Sequence, residues 1–520
     1  MQSARIILVL GGVLILGITV ALSVAQPPTH RPVHKAPDPP PGVMLAESDV
    51  ALVVQETAAS LNVPMVIAVT NRQGNILAIY EKAGAPTSSL GNFYNESFAQ
   101  TDSREVAVAL ARTASFFSND QAPLSSRTVR YISGIHFPPG IIYTPNAALY
   151  GIENTNRGCP FNADYAPGQA YPPARSIDGT QPGYGILTGK PDLEDSDGTA
   201  VNPGGVPLFK QGVMVGGVGV AVPKGVALNV AEFAAVAGSS GAKLFVHTPL
   251  PFPGEVVING VALPFVIQTT MPAGYTAGAA DGSYSLGPIG SPEPDPYGDL
   301  VVPRAGSMLT QADVQSIITA AVNEAMLTRA VIRLPLGSYA HMVMAVSDLD
   351  GTILALHRMQ DATIFSIDVA VAKSRNAIFF SGKYRTAADL PGVPMGTAVT
   401  NRTIGFGAQP IYPPGVPSPP GPFFQLYKFD TENPCSQGSD QLNKNHQDGI
   451  VFFPGSLALY RNGVMVGGLG VSGDGVDQDD FVTVAGGANF PAPLSIRADQ
   501  IIDQGVRLPY SKFPQNPTIF

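Results

Sequence analysis

The strongest constraint on this 520-residue chain is that it repeats itself. Five segments of the first half recur in the same order in the second. Met44-Leu45-Ala46-Glu47-Ser48-Asp49-Val50 matches Met308-Leu309-Thr310-Gln311-Ala312-Asp313-Val314, and Gly74-Asn75-Ile76-Leu77-Ala78-Ile79-Tyr80 matches Gly351-Thr352-Ile353-Leu354-Ala355-Leu356-His357. Residues 112–118 (RTASFFS) match 375–381 (RNAIFFS), and 212–220 (GVMVGGVGV) match 463–471 (GVMVGGLGV). Arg127-Thr128, ending at Pro138-Pro139-Gly140, matches Arg402-Thr403, ending at Pro413-Pro414-Gly415. Weaker matches at 233–238 with 481–486 and at 259–265 with 504–510 lengthen the unit. Such a chain is expected to form two related domains, 44–265 and 308–510, joined by a Gly/Pro-rich linker at 266–307 and followed by a tail at 511–520.

The order of elements in one unit sets the fold class. Each copy opens with a helix. Thr310 with Asp313 three residues on is a capping-box-like start, whereas the first copy has Ala46 there, so its cap is weaker or shifts to Ser48. A hairpin follows, 66–70 with 76–80 and 343–347 with 352–357. An Ala-rich helix at 106–117 or 369–380 comes next, then a long irregular stretch. A second hairpin turns at Gln211-Gly212 or Asn462-Gly463, the latter a strong hairpin signal. A last helix begins near Val230 or Gln478, with Asp477 a candidate N-cap. Helix, hairpin, helix, hairpin, helix argues for an α+β domain with an antiparallel sheet, not a doubly wound parallel one.

Composition agrees with a folded, exported protein. Apolar residues make up 45% of the chain and charged residues 13%, enough to fill two cores. The net charge of −9, with no basic stripe, argues against a nucleic-acid partner. Arg5, the uncharged run at 6–22 and the small residues Ser23-Val24-Ala25 make 1–25 a signal peptide or an uncleaved N-terminal anchor, the only route to a membrane. Residues 26–43 read as a Pro-rich tether. The destination is periplasmic or extracellular.

With these motifs in hand, the chain resembles the haem-binding HbpS/GlcG-like family. The second copy carries the resemblance best: Val346-Ser347-Asp348 to Gly351, Leu354-Ala355, Arg358-Met359, Lys373-Ser374-Arg375-Asn376-Ala377, then Gly463 through Gly473 and Gln478-Asp479. The first keeps Arg112-Thr113-Ala114 and Pro203 through Leu208, but has Glu81-Lys82 for Arg-Met and Ala231-Glu232 for Gln-Asp. The resemblance implies profilin-like domains, subunits that often assemble further, and haem or a related tetrapyrrole as ligand. A tandem chain would then mimic a homodimer, and could itself form a homo-oligomer.

Candidate residues follow from position and chemistry. Arg112 and Arg375 sit at one place in an otherwise apolar helix, where a guanidinium needs a partner. That partner is either a ligand carboxylate, such as a haem propionate, or a structural acceptor such as a salt bridge or loop carbonyl. His357 and its mate Tyr80 are both side chains able to ligate haem iron, or else ordinary strand residues. His136 and His341 are weaker candidates without histidine mates, and Met214 and Met465 read as core. The in-strand pairs Gly216-Gly217 and Gly467-Gly468 point to close packing of a helix on the sheet. The acidic clusters Asp474, Asp477, Asp479, Asp480 and Asp192, Glu194, Asp195, Asp197 either hold calcium or serve as caps and solvated loop. Cys159 and Cys435, 276 residues apart and nearly equivalent in the repeat, form a disulfide across a pseudo-two-fold axis or remain separate thiols. No catalytic constellation is legible. The leading reading is an exported small-molecule-binding protein. The alternatives are a structural module of the cell envelope, and an enzyme acting on a tetrapyrrole or small oxidised acid.

Overall fold

The computed structural model describes residues 42–91, 100–152, 202–245, 256–382, 385–433, 436–438 and 447–512. The first unit runs α1 (Glu47–Ser60), β1 (Val66–Asn71), β2 (Ile76–Glu81), a short pair β3 (Ser88–Leu90) and β4 (Gln100–Asp102), α2 (Ser103–Phe117), α3 (Ser126–Tyr131), β5 (Gly205–Lys210), β6 (Val213–Ala221), α4 (Leu228–Gly241), and the two-residue pair β7 (Val257–Ile258) and β8 (Val261–Ala262). The connecting segment carries β9 (Ser283–Leu286) and β10 (Gly298–Val301). The second unit runs α5 (Gln311–Ala325), β11 (Met342–Ser347), β12 (Ile353–Arg358), α6 (Phe365–Ser381), α7 (Asn401–Gly407), α8 (Phe424–Glu432), β13 (Ser456–Arg461), β14 (Val464–Gly473), α9 (Val476–Gly486), and the pair β15 (Ile502–Asp503) and β16 (Val506–Arg507).

Each unit is an α+β layer pair on an antiparallel sheet. The strand orders are β5-β6-β1-β2-β9 and β13-β14-β11-β12-β10, so the two sheets have one topology. The Gly/Pro-rich segment between the units does more than connect them: β9 pairs with β2 and β10 with β12, closing one edge of each sheet.

The sequence explains the local geometry. Gln211 and Asn462 adopt left-handed φ of 53° and 52°, followed by Gly212 and Gly463 at 82° and 79°, the two-residue turn whose twist suits a hairpin. Gly217, Gly219, Gly468 and Gly470 face the helix above. A β-carbon on Gly219 would lie 2.0 Å from the Ala107 carbonyl oxygen, and one on Gly470 2.1 Å from that of Ala370. Helices α2 and α6 therefore rest on the backbone of β6 and β14, which only glycine permits.

Two cap expectations are settled differently from one another. Helix α5 has its capping box, with the Thr310 hydroxyl accepting from Asp313 N and the Asp313 carboxylate accepting from Thr310 N. Helix α1 keeps the same register without a hydroxyl, because Asp49 still accepts from Ala46 N at 2.8 Å, so the start does not move to Ser48. The expected Asp477 N-cap of α9 is corrected: Gly475 occupies that position, and Asp477, in the first turn, is drawn instead to Arg402 and Lys512.

Two hydrophobic clusters span both units. In one, Phe117 of α2 stacks on Phe365 of α6 at 4.2 Å; in the other, Tyr150 stacks on Tyr427 of α8 at 4.7 Å. A buried ionic network ties the same seam. Asp361 accepts from Arg72 Nη2 of the first unit at 2.7 Å and from Arg333 Nη1 of the second at 2.6 Å, and Arg333 also holds Asp474. Gln121 Nε2 donates across the seam to Ser338 Oγ at 2.9 Å.

Candidate ligand cavity between the two units

The residues singled out from the sequence are held in place by neighbours. Arg112 and Arg375 are buried, and each donates from Nε to the carbonyl of the equivalent turn glycine, Gly74 at 3.0 Å and Gly351 at 2.9 Å. Arg375 Nη1 also lies 3.5 Å from Asp448. Tyr80 is buried, its hydroxyl accepting from Gly282 N at 2.5 Å and its ring edge-on to Tyr284 of β9. His357 is half-buried on β12, with Nδ1 2.6 Å from the Asp299 carboxylate of β10. These four residues sit in two separate units, and none of them lines either of the two main cavities. His341 is buried, stacked on Tyr339, and burial beside Arg333 pushes it down to about 4. Cys159, Cys435 and the acidic run at 192–197 lie outside the described residues. The four aspartates near α9 do not converge on a common point; Asp474, Asp477, Asp479 and Asp480 each meet an arginine or lysine. No metal-holding cluster exists among the described residues.

The larger cavity, of about 880 Å³, opens at the seam between the units. Its walls are largely aromatic and aliphatic: Phe117 and Tyr150 from the first unit face Phe365, Phe406, Phe452 and Phe453 from the second. Polar groups enter from both units: Asn146 and Asn259 from the first, and from the second Gln409 and two arginines. Arg402, held by Asp477 at 2.7 Å and Asp480, is one. Arg329 is another; its Nε is buried and has no hydrogen-bond partner. The smaller cavity, of about 490 Å³, lies beside the Arg72–Asp361 network.

Asp479 of α9 reaches the larger cavity as half of a buried ion pair. Its Oδ2 accepts from Lys373 Nζ of α6 at 2.8 Å, while its Oδ1 has no partner. Lys373 also donates to the Val471 carbonyl and lies over the Phe453 ring. Burial drives both partners toward their neutral forms: it lowers Lys373 and pushes Asp479 up to about 7, against the attraction of each for the other.

This pair is found in one copy only. A β-carbon on Gly455 would meet Asp479 and Lys373, whereas one on the equivalent Gly204 would meet Ala231 and Leu110. The same correspondence corrects the sequence pairing of Gln478-Asp479 with Ala231-Glu232. Arg127 binds Glu232 as Arg402 binds Asp480, so Glu232 corresponds to Asp480 and Ala231 to Asp479, one residue off the motif alignment.

A family model described as "Haem degrading protein HbpS-like" matches residues 309–488. This part of the chain belongs to the HbpS-like family. The HbpS-like unit is thus the one that carries Arg329, Lys373 and Asp479. Solved structures with some likeness include a PduOC–heme complex (22% identity, 35% of this chain and 94% of that one, TM-score 0.23). A Klebsiella pneumoniae protein, ORFY, has 20% identity over 34% of this chain and 88% of that one, with TM-score 0.23. A double mutant of Streptomyces reticuli HbpS has 20% identity over 35% and 88%, with TM-score 0.21. No curated protein matches the chain significantly in sequence.

Arg329 has no motif around it, although the sequence carries a signal for it. The offset between matched residues jumps from 264 (Met44 to Met308) to 277 (Gly74 to Gly351), so the HbpS-like unit has thirteen extra residues between its first helix and first hairpin. Those residues supply Arg329 and Ile332 to the cavity and Arg333 to the seam.

Proposed function

We propose that the protein is exported and binds haem or a related tetrapyrrole in the cavity between its two units. One observation carries the reading: a guanidinium with an unpartnered Nε, Arg329, stands on a cavity of about 880 Å³ with aromatic walls. A tetrapyrrole is a broad apolar ring system bearing carboxylates. The rings suit Phe117, Phe365 and Phe452, and a carboxylate suits the fork of Arg329. The HbpS-like match of the second unit supports the ligand class, and the apolar N-terminal run after Arg5 supports export. The residues present fit the rings and the carboxylates. The described lining contains no histidine, cysteine or methionine; Tyr150 is its one side chain of a type able to ligate haem iron, and the aromatic walls and Arg329 address the organic part of the ligand.

The test is a hemin titration of the full chain followed in the Soret band. Wild type should give a saturable shift. Arg329→Ala should weaken binding by about tenfold or more, the worth of a hydrogen bond to a charged group. Absence of any shift in wild type overturns the haem reading.

A further inference from the structure

The cavity presents unsatisfied groups of both kinds, and together they describe the ligand further than the aromatic walls do. Arg329 Nε and Asn146 Nδ2 are donors without an acceptor, and Gln409 Oε1 is an acceptor without a donor. Asp479 Oδ1 is an acceptor without a donor, on a residue only 2% exposed. Leaving a carboxylate oxygen buried and unpaired is costly, and the first unit avoids that cost by carrying Ala231 and Leu110 at the same place. A metal-filled macrocycle answers only half of this site. Its ring nitrogens are committed to the metal, and its polar periphery consists of carboxylates, which suit Arg329 but repel Asp479. An open-chain tetrapyrrole answers both halves, because it keeps the carboxylates and adds pyrrole and lactam N–H donors.

We infer that the cavity is a site for a metal-free, N–H-bearing tetrapyrrole of the open-chain kind, with Asp479 accepting from the ligand's N–H groups and Arg329 holding a carboxylate. Lys373 is a positioning residue: its bond to Oδ2 leaves Oδ1 turned to the ligand. The inference rests on the tetrapyrrole reading of the cavity and sharpens it.

The experiment compares biliverdin and hemin on the full chain by absorbance titration, in wild type and two variants. In Asp479→Asn the amide oxygen stays with Lys373, so the NH2 group faces the cavity and an acceptor becomes a donor. Biliverdin should weaken by about tenfold or more, while hemin, relieved of a like-charge neighbour, should bind at least as tightly as to wild type. The second variant, Lys373→Leu with Asp479→Ala, copies the pair that the first unit carries and removes the acceptor without stranding a charge. It should show the same selective loss with an unchanged circular dichroism spectrum. Equal losses for both ligands, no loss for biliverdin, or a wild type that binds hemin but not biliverdin would each overturn the inference and leave the tetrapyrrole reading standing. A wild type that binds neither ligand overturns both.

Discussion

Replacing Lys373 with leucine tests the buried pair on which the asymmetry of the two units rests. Lys373 Nζ and Asp479 Oδ2 are 2.8 Å apart, with side chains 0% and 3% exposed. At an effective dielectric constant of about 20, two unit charges at this distance attract by ~6 kcal/mol. Desolvating the two ions costs several kcal/mol each, so the pair as a whole contributes little. Removing the lysine alone discards the attraction and keeps the aspartate buried, and the expected destabilisation is about 3–5 kcal/mol. Adding Asp479→Ala should restore most of it, because Leu110 and Ala231 already pack at the equivalent position of the first unit. The double variant is expected within about 1.5 kcal/mol of wild type, the usual range for a tolerated apolar replacement. Urea denaturation of wild type, both single variants and the double variant closes the cycle, and the coupling should be at least about 2 kcal/mol. Strictly additive single variants, or a double variant as unstable as Lys373→Leu, would refute the reasoning.

Other expectations concern pH, packing and the seam. Burial pushes both Asp479 and Asp120 up to about 7 from an ordinary 3.8, so each binds its proton more tightly folded than unfolded. Their contribution is therefore full below about pH 4 and lost as pH rises through about 7; the denaturation midpoint should fall across that range, and a rising midpoint would contradict the assignment. Gly470→Ala would place a β-carbon 2.1 Å from the Ala370 carbonyl, so a loss of at least about 3 kcal/mol is expected, against near-neutrality for the surface turn Gly225→Ser beyond its own φ strain. Arg72→Met removes the first unit's cation from Asp361, and calorimetry should then resolve two transitions where wild type shows tighter coupling.

The sequence disclosed the architecture because the architecture is periodic. The duplicated GVMVGG strands, the Gln211-Gly212 and Asn462-Gly463 turns and the glycines under α2 and α6 all report local geometry, and local geometry leaves a local trace. The edge strands β9 and β10 were hidden because the Gly/Pro-rich segment that holds them has neither alternation nor length. The cavity was hidden for a different reason. Its walls come from residues near 117, 147–150, 329–336, 402–409, 452–454 and 472–479, which only the packing of one unit on the other brings together. Arg112 and Arg375 stand out as lone charges in apolar helices, yet the carbonyls they bind belong to hairpin turns remote in sequence. Arg329 does not stand out, since nothing in its neighbours marks it; only the thirteen-residue excess over the first copy does.

If the two units form one site between them, stoichiometry shows it most directly. Hemin titrated into the full chain at concentrations well above its Kd should saturate the Soret shift at one equivalent per chain. Arg329→Ala should weaken that binding, and His357→Ala should leave the spectrum unchanged. Saturation at two equivalents, or a shift abolished by His357→Ala and untouched by Arg329→Ala, would contradict the account, because each unit would then bind its own ligand away from the seam.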